Sequence, residues 1–146
     1  MTLNIGYDFL AGIPHAGQPL AAALFEWHDT TLITLTKTSS DNTRTITSIN
    51  AKTSSHWNDL LLIDDLITAA DTKLEAIAVA RQAGFKVSNI LVLVDRKQGG
   101  RQELLKQGCM LHSIFSITQL LRFYHEQELI AEDELYESLI YLGEKT

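Results

Sequence analysis

The sequence predicts an α/β domain in which a parallel β-sheet is flanked by helices. Three observations carry this expectation. Leu60, Leu61, Leu62 and Ile63 form a continuous apolar run, as a central strand covered on both faces requires. Strand signals alternate with helix signals along the chain, and repeated units of that kind build parallel sheets through right-handed crossovers. Gly84 and Gly108 each follow a helical stretch, the position at which glycine commonly ends a helix.

Residues 7–13 read as the first strand. Pro14, Gly17 and Pro19 punctuate a loop, and residues 20–27 continue as a mostly apolar helix. Residues 31–36 alternate in the β-branched manner of a second strand. Residues 37–55 are rich in Thr, Ser and Asn, with Ile46 and Ile49 as their large apolar members, so a mobile loop or exposed hairpin is expected. The strand at Leu60 leads to a helix over 72–83, a strand over 90–94, a helix over 102–107 and a short strand over 112–115. Two helices, over 118–127 and 131–141, close the chain, giving a sheet of four or five strands.

At 146 residues, with 45% hydrophobic and 21% charged residues, the chain can bury one core and is short for two ordinary domains. Residues 1–146 therefore read as a single domain. No apolar run approaches the roughly 18 residues that a membrane span needs, and the opening MTLNIGYDF lacks the basic region of a secretory signal. A cytoplasmic protein with no membrane partner is expected. A net charge of −6 argues against a nucleic-acid partner, whose binding rests on a Lys/Arg footprint. Cys109 is the only cysteine, which excludes an internal disulfide and a cysteine-cluster metal site; burial as a small hydrophobe is its expected role. His28, His56 and His125 have no metal-ligand spacing, and His112 on an apolar strand reads as a satisfied core histidine.

Residues 60–77, LLLIDDLITAADTKLEAI, join a buried strand, two carboxylates, a short turn and a helix. In open α/β sheets the ligand crevice lies outside the carboxyl ends of the strands. Asp64 and Asp65, placed where the strand ends, can accept from hydroxyls of a polyhydroxylated ligand, and amides at the helix start can donate to phosphate. The same residues also suit plain helix capping, with Thr68 or Asp71 as N-cap and Glu75 in the first turns.

This segment resembles the ribose-phosphate signature of type I phosphoribosyltransferases. Residues 89–130, with VDRKQGG and LHSIFSITQLL as their most specific words, resemble the C-terminal part of orotate phosphoribosyltransferase, particularly the version in bifunctional uridine monophosphate synthases. Upstream, YDFLAGIPHAGQPLAAAL is similar to that family's first strand, diphosphate loop and helix.

The resemblance implies transfer of a phosphoribosyl group from phosphoribosyl diphosphate to orotate, with magnesium, in a homodimer of pyrimidine nucleotide biosynthesis. It places Asp64 and Asp65 on the ribose hydroxyls and Thr68, Ala69, Ala70, Asp71 and Thr72 in the phosphate turn, Ala70 and Asp71 departing from the usual Gly and small hydroxyl residues. A Cβ at position 70 is unfavourable if that residue takes positive φ, and Asp71 sets a negative charge beside phosphate. Of the family's catalytic loop, matched to residues 36–43, Lys37 and Asp41 agree; its other basic residues are replaced here by Thr, Ser and Asn42, with Arg44 a substitute by register shift and an ordinary solvated loop the plain alternative. Arg96 matches the arginine on orotate, with Gly99 and Gly100 in the turn beneath it; read without the resemblance, Arg96 pairs with Asp95 or Glu103. His15 falls in the diphosphate loop. The early first strand implies a chain lacking the family's N-terminal hood over the base. With these departures, catalysis is expected to be weak or lost, and the alternative is a non-catalytic binding or regulatory subunit. No metal site made by the protein itself is expected.

Overall fold

The chain opens with strand β1 (Phe9–Gly12), helix α1 (Gly17–Phe25) and strand β2 (Thr31–Ser40). It continues through β3 (Thr43–Ile49), β4 (Asp59–Ile67), α2 (Asp71–Gln82), β5 (Lys86–Asp95), α3 (Gly100–Lys106) and β6 (Met110–Ser116). Helices α4 (Ile117–Glu126) and α5 (Glu132–Tyr141) follow. This computed structural model describes residues 5–40, 43–53 and 56–144. The strands form one six-stranded sheet in the order β3-β2-β1-β4-β5-β6. All neighbours pair in parallel except β3, which adds antiparallel to the edge of β2.

The apolar run of β4 is explained by the alternation of side chains across a pleated strand. Leu60 and Leu62 enter the larger core cluster with Ala76, Ile77 and Ala80 of α2, while Leu61 and Ile63 enter a second cluster with Ala21 of α1. Both faces of the strand are thus covered, and each fully buried leucine contributes about 1.5–3 kcal/mol. Close approach of α1 depends on Gly17, because a Cβ there would overlap the carbonyl oxygen of Ile63. Cys109 is buried in the larger cluster, as its type suggests.

Four details differ from the expectation. Helix α1 begins at Gly17 and includes Pro19; a first-turn proline removes an N–H that has no intrahelical partner anyway. Residues 43–49 are a strand, and the hairpin it makes with β2 is anchored: Ile46 is buried, and its amide donates to Glu75 Oε2 of α2 at 3.1 Å. Glu75 therefore serves this hairpin and not the start of its own helix. The sheet has six strands, since the Thr-rich hairpin joins it. Finally, β4 runs through the acidic pair to Ile67, continuing its pairing with β5 as far as Asp95.

β1 leads through α1 to β2 on one side, whereas β4 leads through α2 to β5 on the other. The sheet therefore reverses its order between β1 and β4. A crevice outside the carboxyl ends of these two strands is where an open α/β sheet holds its ligand.

Candidate active site

At the end of β4 the two aspartates have different surroundings. Asp64 is 6% exposed. Its Oδ2 lies 2.6 Å from Lys73 Nζ, and its Oδ1 accepts from the Asp65 amide at 2.9 Å. Lys73, 7% exposed on α2, also donates to the carbonyl of Leu66 at 2.7 Å. Burial pushes the Asp64 carboxyl above its ordinary range, with the hydrogen bond and charge of Lys73 pulling the other way. Asp65 is half-buried, accepts from the Leu66 amide at 2.7 Å, and has no cationic partner among the described residues.

The turn that follows is built differently from the capping alternative. The N-cap of α2 is Ala70, with φ −103° and ψ 4° and no side-chain cap; neither Thr68 nor Asp71 fills that role. Because φ is negative, this turn does not require glycine at position 70, and the Ala70 methyl packs in the core. Asp71 is exposed as the first residue of α2, where the helix dipole favours a carboxylate. Ala69 is exposed, while Thr68 and Thr72 are half-buried.

Two backbone hydrogen bonds tie this turn to the loop after β5. The Arg96 amide donates to the Ile67 carbonyl, and the Gly100 amide donates to the Thr68 carbonyl, both at 3.0 Å. Gly100 is required at this crossing: a Cβ would stand 2.6 Å from Ile67 side-chain carbons and from the Thr68 oxygen. Asp95, the last residue of β5, accepts from Arg101 of α3 at 3.1 Å and from the Lys97 amide at 2.8 Å. Glu103 pairs with Lys106. The plain reading of Arg96 as the partner of Asp95 or Glu103 is therefore replaced by Arg101 and Lys106. The Arg96 side chain makes no ion pair or hydrogen bond among the described residues. It lines a cleft of about 380 Å3 with Ile117, Leu121, Glu137, Ser138 and Tyr141 of the last two helices.

His15 is exposed beyond the end of β1. Lys37 lies on the hairpin opposite Ile46 at a β-bulge, past the last β1–β2 pairing at Gly12 and Thr34. It shares the carboxyl end of the sheet with the acidic pair, but no hydrogen bond or ion pair joins them among the described residues. Asp41 and Asn42 of the expected catalytic loop lie outside the described residues. His112 hydrogen-bonds Asn89 Oδ1 through Nε2 at 2.9 Å, as a satisfied histidine should. Among the described residues no group of three or more His, Cys, Asp or Glu side chains can hold a metal ion, and none of their helices is long and apolar enough to cross a membrane.

No protein-family model matches the chain. Over 130 residues it is 28% identical to uridine 5'-monophosphate synthase of Bos taurus, spanning 87% of this chain and 26% of that protein. Over 134 residues it is 32% identical to orotate phosphoribosyltransferase of Saccharolobus solfataricus, spanning 90% of this chain and 64% of the relative. The chain thus spans between about a quarter and just under two thirds of these relatives. Among solved structures, uridine monophosphate synthase of Leishmania donovani superposes on 96% of this chain with a TM-score of 0.81 at 28% identity, using 30% of its own length. Similarity that runs through the acidic strand and the Arg96 loop alike, on a shared backbone, gives the chain the fold of the type I phosphoribosyltransferases and makes it similar in sequence to the orotate phosphoribosyltransferases among them.

Proposed function

We propose that the crevice binds phosphoribosyl diphosphate and orotate and transfers the phosphoribosyl group to form orotidine monophosphate and diphosphate, with low turnover. The observation that carries this reading is the double backbone tether between the β4 turn and the Arg96 loop. It ties the turn proposed for the sugar phosphate to the loop that bears Arg96, whose guanidinium pairs with no described residue, and a two-substrate reaction needs such mutual positioning. In the reaction the bond from ribose C1 to the diphosphate oxygen breaks with its electron pair on the departing diphosphate, a bond from C1 to the orotate ring nitrogen forms, and the proton that nitrogen carried passes to water. Asp65 accepts from the ribose hydroxyls, Thr68 to Thr72 receive the 5′-phosphate, and Arg96 offers a planar, bidentate donor to the orotate carboxylate. Lys37 stabilises charge developing on the leaving diphosphate. A single cation in that role, together with Asp71 near the phosphate, supports slow chemistry and weak donor affinity. Magnesium would enter with phosphoribosyl diphosphate as the counter-ion of its phosphates.

A second reading, a non-catalytic subunit that binds the nucleotide, is favoured by the anchoring of the Lys37 hairpin to α2 through Ile46 and Glu75. Either way the proposed assembly is a homodimer, supported by an open apolar face with Trp27 83% exposed beside Leu24, Leu93 and Ile114. Calorimetric titration with phosphoribosyl diphosphate, orotate and orotidine monophosphate in magnesium, with an assay for orotidine monophosphate, decides between the readings. Binding with slow turnover supports the first, and binding without turnover supports the second. No binding of any of the three overturns both. Sedimentation at micromolar concentration tests the dimer, which a purely monomeric profile excludes.

A further inference from the structure

We propose that Lys73 and Asp64 form a permanent structural ion pair that clasps the phosphate turn, leaving Asp65 as the single carboxylate of the acidic pair that meets the sugar. This deepens the proposed function and rests on it for the identity of the ligand. Both oxygens of Asp64 are engaged, one by Lys73 Nζ at 2.6 Å and the other by the Asp65 amide at 2.9 Å. With 6% of its surface exposed and a charge-assisted bond, the stronger kind, on one oxygen, Asp64 offers an incoming hydroxyl little access. Asp65 is half-buried and carries no counter-ion among the described residues.

The position of Lys73 gives the pair its purpose. Its ammonium reaches from the first turn of α2 to the Asp64 carboxylate and the Leu66 carbonyl on β4. The whole turn from Thr68 to Ala70 is therefore bracketed between the strand and helix that it connects. The same device recurs one strand away. Asp95 ends β5, is 5% exposed, and takes Arg101 from the following helix, while its neighbour Arg96 pairs with no described residue. In both places the inner aspartate holds the next helix and the adjacent residue is available to a ligand. Lys73 is thus a positioning residue.

The energetics of buried pairs make the idea testable. Removing one member of such a pair strands a charge, whereas removing both is tolerated. Three variants, Lys73→Met, Asp64→Leu/Lys73→Met and Asp65→Asn, are titrated with phosphoribosyl diphosphate in magnesium, and their melting temperatures are measured. Expected are a low melting temperature and weakened binding in Lys73→Met. Both should be restored in the double variant, whose affinity should lie within about threefold of the unaltered chain. A loss of about tenfold or more is expected in Asp65→Asn. A folded double variant that binds as poorly as Asp65→Asn assigns Asp64 to the ligand and overturns the inference. Should the double variant not fold, Asp64→Asn/Lys73→Gln, which keeps a hydrogen bond without charge, takes its place under the same criteria. If the unaltered chain binds no phosphoribosyl diphosphate at millimolar concentration, the proposed function falls and the assignment of Asp65 falls with it. The ion pair is judged on its own by the melting temperatures: destabilisations that add, where cancellation is expected, overturn it whatever the ligand.

Discussion

The ends of β4 and β5 use one arrangement at two depths. Each carries a buried aspartate paired to a cation on the following helix, Asp64 with Lys73 three residues before the end of β4 and Asp95 with Arg101 at the last residue of β5. At β4 both partners are buried; at β5 the Arg101 side chain is 49% exposed. The difference teaches what each pair can do. Two charges withdrawn from water gain little net stability, because desolvation offsets their attraction, but they forbid rearrangement, since separating them is costly. A half-solvated guanidinium is screened by water and held more loosely, and Asp95, though as buried as Asp64, keeps the Lys97 amide when the guanidinium departs. The turn after β4 is therefore the more firmly held side of the crevice and the Arg96 loop the more adaptable one.

The sharpest way to break this comparison is to remove each cation in turn. Lys73→Met should cost about 3–5 kcal/mol of unfolding free energy. Arg101→Met should cost about 1 kcal/mol. Urea denaturation measures both, and equal losses would erase the distinction. Arg96→Ala should leave stability nearly unchanged and weaken orotate binding by about 1.5–3 kcal/mol, tenfold or more; undiminished calorimetric affinity would remove Arg96 from the site. Gly100→Ala tests the crossing that joins the two halves. Its methyl meets Ile67 and the Thr68 carbonyl, so a loss of about 1–3 kcal/mol is expected from overpacking, and a silent substitution would mean that the tether yields freely.

The smallest effect lies on β6. Burial, and then the charge of Arg101, hold the His112 pKa below its ordinary 6.5. Between that depressed value and 6.5 the unfolded chain binds more protons than the folded one, so stability present above 6.5 is lost as pH falls through this window. Melting curves across it should decline less steeply in His112→Gln. In Arg101→Met the His112 titration, followed by nuclear magnetic resonance, should move up towards 6.5.

The sheet was largely legible because apolar runs and glycine-ended helices are local signals. Residues 43–49 were harder: their Thr and Ser side chains give little alternation, and only the contact of Ile46 with α2 shows why they form a strand. At the candidate site, Arg96 follows the end of β5 as expected, whereas β4 runs past the acidic pair to Ile67, and the partners of these side chains could not be read from the sequence. Arg101 displaces Arg96 as the neighbour of Asp95 through geometry alone. Lys73 did leave a trace. It shares the helical stripe of Ala76, Ile77 and Ala80, and a lysine on the buried stripe of an amphipathic helix needs an anionic partner. The nine positions separating it from Asp64 match no local period, so the partner's identity waited for the tertiary structure.

The pairing of Phe9 with Leu60 has a consequence for folding. The two strands that flank the crevice meet only when the chain has closed a loop containing all of α1, β2 and β3. Such non-local contacts are made against chain entropy and slow the search for the native state, whereas the β2–β3 hairpin can form early from its neighbours. The crevice is then a property of the assembled sheet, with no fragment of the chain able to display it. A ligand held there draws on global unfolding, so its binding should raise the melting temperature of the whole domain, and the rise should continue with the logarithm of free ligand after the site is full.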